Sequence, residues 1–215
     1  GVIEWVGPDS QAEQFEAAES VDAAGATVTP AFVDAHVHTV QTGLSLSELD
    51  LSGVRSARKA LDRLASFARG REGLISGWGW DESTWSDPKP VTSEAIAATV
   101  GDRDVYLGRV DGHSAIVSPS LLTLAQNRVG AGADGRVERD AHHTVRDALS
   151  TRITTAQRVA AAQGALDHLS SRGVVGFHEN AAPHIGPTDD LAILPELAAS
   201  SGHRPTLYWG ARGAF

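Results

Sequence analysis

The 215-residue chain carries 27 acidic against 18 basic side chains, a net charge of −9, which argues against nucleic acid or an anionic membrane as its partner. It has no Cys, which excludes disulfides and thiolate chemistry and fits a cytoplasmic location. No apolar run approaches the ~20 residues of a membrane-spanning helix, and no basic start with an apolar stretch marks a signal peptide.

Residues 1–7 read as a short strand. Residues 21–22 and 27–29 flank a Gly-containing turn at 23–26, which predicts a hairpin. The run Thr29-Pro30-Ala31-Phe32-Val33-Asp34-Ala35-His36-Val37-His38-Thr39 then reads as a buried strand that ends in two histidines spaced i, i+2. Side chains alternate along a strand, so His36 and His38 point the same way. Two imidazoles on one face can share a metal ion. An apolar strand that delivers both to its C-terminal end predicts a catalytic metal at the mouth of an α/β barrel.

Residues 55–68 have a helical period, with Leu61, Leu64 and Ala68 on one face and Ser52 or Ser56 as N-cap. A strand follows at 73–77, a short helix at 92–100 capped by Thr92 or Ser93, and a strand at 105–110. Ser118-Pro119 opens a helix through Leu124. Residues 130–148 are polar and rich in Gly and Asp, and read as an excursion over the barrel mouth. A helix at 154–171 ends before Gly173. The last elements are a strand at 174–177, a helix at 188–200 and a strand at 206–209. Asp189 and Asp190 suit that helix's N-terminal dipole, and Pro195 is expected to kink it. The pattern is parallel α/β, with five strands. A (β/α)₈ barrel takes eight strands and ~250 residues. The chain is therefore read as the N-terminal part of a TIM-type barrel in a larger enzyme. The alternative is a small doubly wound sheet with an incomplete metal site.

Ser76-Gly77-Trp78-Gly79-Trp80-Asp81-Glu82-Ser83-Thr84-Trp85 follows the second strand. Its glycines let backbone approach closely, and its tryptophans offer flat apolar walls, so Trp80 and Asp81 are candidate substrate contacts. Packing between loop and barrel is the plainer alternative. In Arg109-Val110-Asp111-Gly112-His113-Ser114, alternation could set Arg109, Asp111 and His113 on one face. His113 could hydrogen-bond a substrate carbonyl or the tetrahedral oxyanion, Asp111 could fix its tautomer, and Arg109 and Asp111 could contact substrate. An Asp–Arg loop anchor beside a structural His is the alternative. His142, His143, His168, His184 and His203 read as surface or structural.

The first of these motifs, Pro30 through His38, resembles the first barrel strand of the metal-dependent amidohydrolase superfamily, with Ala31 where Gly is usual. Gly77-Trp78-Gly79-Trp80-Asp81 and Arg109-Val110-Asp111-Gly112-His113 are similar to its YtcJ-like branch, amidohydrolase family 3, which includes N-substituted formamide deformylases. The resemblance implies that residues 1–30 belong to a small β-sandwich and that residues 31–215 are the first five β/α units of the hydrolase barrel. It implies one or two divalent ions, Zn²⁺ first, and a bridging carboxylate or His near the fourth strand. In Val174-Val175-Gly176-Phe177-His178-Glu179-Asn180, Glu179 stands where the branch has Asp and becomes a candidate metal ligand. His178 and Asp147 are the alternatives. Thr144-Val145-Arg146-Asp147-Ala148 departs from the branch, with no Gly and with Asp for Glu. Two further His and a catalytic Asp are expected outside these residues. The implied reaction is attack of a metal-activated water on an amide, formamide or cyclic amide. The implied partner is a small-molecule substrate, and a homo-oligomer is compatible. A non-catalytic metal or small-molecule binding domain with this architecture is the rival reading.

Overall fold

A computed structural model describes residues 2–183 and 185–210, so the expectation for His184 lies outside the described residues. The chain forms two compact units, Gly1–Ala31 and Phe32–Phe215. In the first, the described residues contain a 3-10 turn at Asp9–Gln14 and a contact between the rings of Trp5 and Phe15, 5.1 Å between centroids. The expected turn is present: Ala24 and Gly25 have φ of 49° and 81°, and Ala26 N–H donates to Ala23 at 2.8 Å. The expected strands around it do not form among the described residues. Val2, Ile3, Val6, Val21 and Val28 stay exposed, and a two-stranded ribbon without a further strand or covering layer is marginal in water.

The second unit begins with β1 (Phe32–Val37), α1 (Thr39–Ser47), β2 (Leu49–Asp50), α2 (Ala57–Ala68), β3 (Ile75–Trp80) and α3 (Ser93–Val100). It continues with β4 (Val105–Arg109), β5 (Ser114–Val117), α4 (Pro119–Ala125), β6 (Arg136–Glu138) and α5 (Arg139–Ser150). It closes with α6 (Thr155–Ser171), β7 (Val174–Ala181), α7 (Asp189–Ser200) and β8 (Arg204–Trp209). Local chemistry starts several helices. The Ser56 hydroxyl accepts from Lys59 N–H, the Thr92 hydroxyl from Ala95 N–H, and Thr154 with Gln157 forms a capping box. Among the described residues no helix is long and apolar enough to cross a membrane.

The strands sort into two sheets. One has the order β1-β7-β8, all parallel. Buried Phe177 of β7 packs with Val37 of β1, Leu166 and Leu169 of α6 and Ala198 of α7, so helices cover one side. Phe32, Val33, Val175, Leu207 and Trp209 keep 36–61% of their surface exposed, so helices cover this sheet only in part. α1 lies close on α6: a Cβ on Gly43 would overlap the Ala161 carbonyl, and only glycine permits that approach.

The other sheet has the order β2-β3-β4-β5-β6, with β2, β3 and β4 parallel and the last two pairings antiparallel. Both its faces are covered. Leu107 and Ile116 pack with Leu64 of α2 and Ile96 of α3. Their strand neighbours Tyr106, Ala115 and Val117 pack with Leu121 of α4 and Val145 of α5, as period-2 alternation requires.

This corrects two expectations. The five strands anticipated in one barrel wall are divided: β3 and β4 belong to the second sheet, and β1 is neighbour to β7 instead. Neither sheet closes into a barrel among the described residues. The reason is that the chain between α1 and α6 builds its own two-sided core, and β5 caps the β4 edge. Residues 130–148 are also no polar excursion, since they hold β6 and most of α5. Ala141, Val145 and Leu149, spaced i, i+4, i+8, are buried there and were the legible signal.

Candidate active site

β1 carries the histidine pair to its C-terminal end. Val37 is buried beneath the helices, so its neighbours His36 and His38 project to the opposite, uncovered side. Their ring centroids are 5.2 Å apart with planes at 78°. The Asp34 carboxylate accepts the His36 backbone N–H at 2.9 Å and fixes the strand end. His36 is exposed and His38 half-buried. Same-face placement of the pair is as the spacing predicts.

Glu179 stands beside them for a reason of register: β7 pairs with β1 so that Glu179 is level with Val37. It is 4% exposed. Its Oε2 accepts the Thr39 N–H at 2.6 Å, and its Oε1 lies 3.8 Å from His38 Nδ1. Among the described residues no group of three or more His, Asp or Glu is arranged to hold a metal ion. The structure therefore brings Glu179 to His38 without completing a ligand set. The alternatives are placed elsewhere. His178 Nδ1 is 3.4 Å from the Tyr208 hydroxyl. Asp147 is exposed on α5, beside the other sheet.

Behind Glu179 is a cavity of about 10 Å³, room for one water, lined by His38, Gln41, Glu179 and Asp190 among others. Asp190, read from sequence as a dipole partner, also forms a buried pair with Arg158, whose Nη1 lies 3.0 and 3.1 Å from its two oxygens. Burial still holds the Asp190 carboxyl above the usual range, against the pull of Arg158. The signal missed was Arg158 on the apolar face of α6.

The second cluster sits at the C-terminal ends of β3 and β4, on the other sheet. Arg109 Nε donates to Glu82 at 2.8 Å, Nη1 to Asp111 at 2.7 Å and Nη2 to Asp81 at 3.0 Å. Glu82 also receives Arg136 Nη1 at 3.3 Å, a bridge that sequence reading did not find. The bond to Glu82 is the main cause that raises the Arg109 pKa. Asp81 is held low chiefly by the Ser83 hydroxyl. Burial pushes Asp111 up, but the His113 N–H and Arg109 outweigh it and leave it below the usual range. This is the loop-anchor arrangement, with every guanidinium edge engaged by a carboxylate.

Two further expectations change. Trp80 is 2% exposed, and its Nε1 donates to the Leu107 carbonyl at 2.9 Å, so it is a core residue with no face left for substrate. Trp85 is buried likewise, and Trp78 is the exposed member of the three. Asp111 accepts the backbone N–H of His113 at 2.8 Å, so it shapes the turn and not the imidazole tautomer. His113 itself is exposed. His142 and His203 are buried and hydrogen-bonded, to Tyr106 and Ser170, which agrees with structural roles.

Comparisons with known proteins agree with the histidine motif. The sequence profile of the amidohydrolase family matches residues 19–204. YtcJ of Bacillus subtilis (strain 168), named as an amidohydrolase, is 30% identical over 113 residues, 50% of this chain and 21% of its own length. An imidazolonepropionase of Acidiphilium cryptum (strain JF-5) is 38% identical over 74 residues, 34% of this chain and 17% of its own. The crystal structure of an uncharacterized metal-dependent hydrolase from Pyrococcus furiosus matches with a TM-score of 0.61 and 26% identity, over 84% of this chain and 37% of that one. The chain thus spans well under half the length of these relatives. Because the family profile runs from the first unit through both sheets to β8, this chain belongs to the amidohydrolase family, in family 3.

Proposed function

We propose that this chain is the N-terminal part of a metal-dependent hydrolase that cleaves a non-peptide C–N bond, in an amide, formamide or cyclic amide. The observation that carries this reading is the His36/His38 pair, delivered by a parallel strand to the side its helices leave open, with rings 5.2 Å apart. A catalytic zinc takes about three protein ligands and keeps one position open. The pair fits two of these, and imidazole suits Zn²⁺. One or two such ions are proposed. When bound, a divalent ion supplies Lewis acidity and a water that ionises near ~pH 7.

The chain's own residues then have distinct tasks. His36 and His38 hold the ion. His113, on an exposed turn, donates a hydrogen bond to the substrate oxygen as negative charge develops there. Arg109 fixes Asp81 and Asp111, and so sets the loops after β3 and β4 as walls of the site. The architecture supports this. β1, β7 and β8 are parallel and pack against helices, as three adjacent staves of a (β/α)₈ barrel would. Residues 1–30 are proposed as part of a small β-sandwich. The remaining ligands and the catalytic Asp lie outside these residues in this reading.

A non-catalytic metal or small-molecule binding domain is the rival, favoured by the absence of a three-ligand group among the described residues. Metal analysis of the full-length protein, with a screen of N-acyl and N-formyl amines, separates the two. Bound metal with turnover is expected. Bound metal with no turnover of any C–N substrate favours the rival, and a protein that binds no divalent ion refutes both metal readings.

A further inference from the structure

We propose that Glu179 is a positioning residue that sets the ring of His38, and that it is not a metal ligand. The inference rests on the reading of His36 and His38 as ligands. Its basis is where the Glu179 carboxylate is already committed. Oε2 takes the Thr39 N–H at 2.6 Å, short even for a charge-assisted bond. Thr39 opens α1, so this N–H is one of the donors a helix start leaves unsatisfied, at the end where the dipole favours negative charge. Oε1 faces His38 Nδ1 at 3.8 Å.

The carboxylate is 4% exposed, with one oxygen hydrogen-bonded to the Thr39 N–H and the other at ion-pair distance from His38. With Nδ1 on the Glu179 side, the ion would be held by Nε2. This is the carboxylate–histidine arrangement that orients metal-bound imidazoles. Packing keeps this geometry in place. Gly43 lets α1 seat on α6, and the register of β7 on β1 holds Glu179 level with the strand end.

The test uses full-length protein. In the metal-free state, ¹⁵N NMR of the histidines should find His38 with its proton on Nδ1, and Glu179→Ala should shift it toward a mixture of tautomers. In zinc titrations, Glu179→Ala and Glu179→Gln should reach the wild-type stoichiometry with Kd weakened ~10–100-fold. His38→Ala should lose the metal. Loss of a metal equivalent in the Glu179 variants would make Glu179 a ligand, and an unchanged Kd and tautomer would leave it merely structural. Either outcome overturns the proposal. Should Glu179→Ala fail to fold, Glu179→Gln keeps an oxygen for Thr39 and carries both measurements. A wild-type protein that binds no zinc would refute the proposed function, while the metal-free tautomer would still decide the role of Glu179.

Discussion

The Tyr106 hydroxyl and His142 Nε2 are 2.7 Å apart between β4 and α5, with the rings stacked at 15°. Burial pushes the His142 pKa down from 6.5 to about 4, and the positive charges of Arg146, His143 and His113 act in the same direction. Burial also pushes Tyr106 up to about 12. At neutral pH an uncharged imidazole and a neutral hydroxyl therefore share this hydrogen bond.

This pair predicts acid sensitivity. An unfolded chain protonates His142 near 6.5, and the folded state resists until about 4. The contribution of His142 is complete above the unfolded value and is lost as pH falls across that window. The loss should reach ~2–3 kcal/mol. Urea unfolding of the full-length protein at roughly pH 7 and roughly pH 4.5 should show it, and His142→Gln should flatten the dependence. Equal slopes for both proteins would rule this out. Tyr106→Phe leaves Nε2 without its hydrogen-bond partner in the core and should cost about 1–3 kcal/mol near neutral pH.

Arg109 should not tolerate lysine. Its guanidinium reaches Glu82, Asp111 and Asp81 in three directions, between 2.7 and 3.0 Å, and an ammonium lacks that planar fork. Arg109→Lys is expected to lose about 1–3 kcal/mol in thermal unfolding, and Arg109→Ala more, because three carboxylates then face one another. The Asp81 carboxyl should remain low in both variants, since the Ser83 hydroxyl is its main cause. An NMR titration of Asp81 checks this.

His36 and His113 should separate by phenotype. In full-length protein, His36→Ala opens the metal's ligand set and should remove most bound metal together with hydrolysis. His113→Ala should keep the metal and lower kcat ~10²–10³-fold, the cost of losing one oxyanion donor. Metal loss in His113→Ala, or retention in His36→Ala, would overturn these roles.

Much of this was legible in the sequence because it is local. Ser56, Thr92 and Thr154 cap their helices through groups within a few residues. The same face for His36 and His38 follows from strand alternation alone. The α5 stripe was equally readable, and its polar surroundings hid it.

Partnership between distant residues was not legible. Nothing near β1 states that its neighbour is β7 and not β3, because that choice depends on the chain between them closing its own core. Trp80 looked like a pocket wall until Leu107 supplied a carbonyl for its N–H. The Thr39 N–H that engages the Glu179 carboxylate comes from 140 residues away. Caps and alternation act along the chain, where sequence records them. Strand order and the pairing of buried charges are decided through space, by which partners remain once each core has closed.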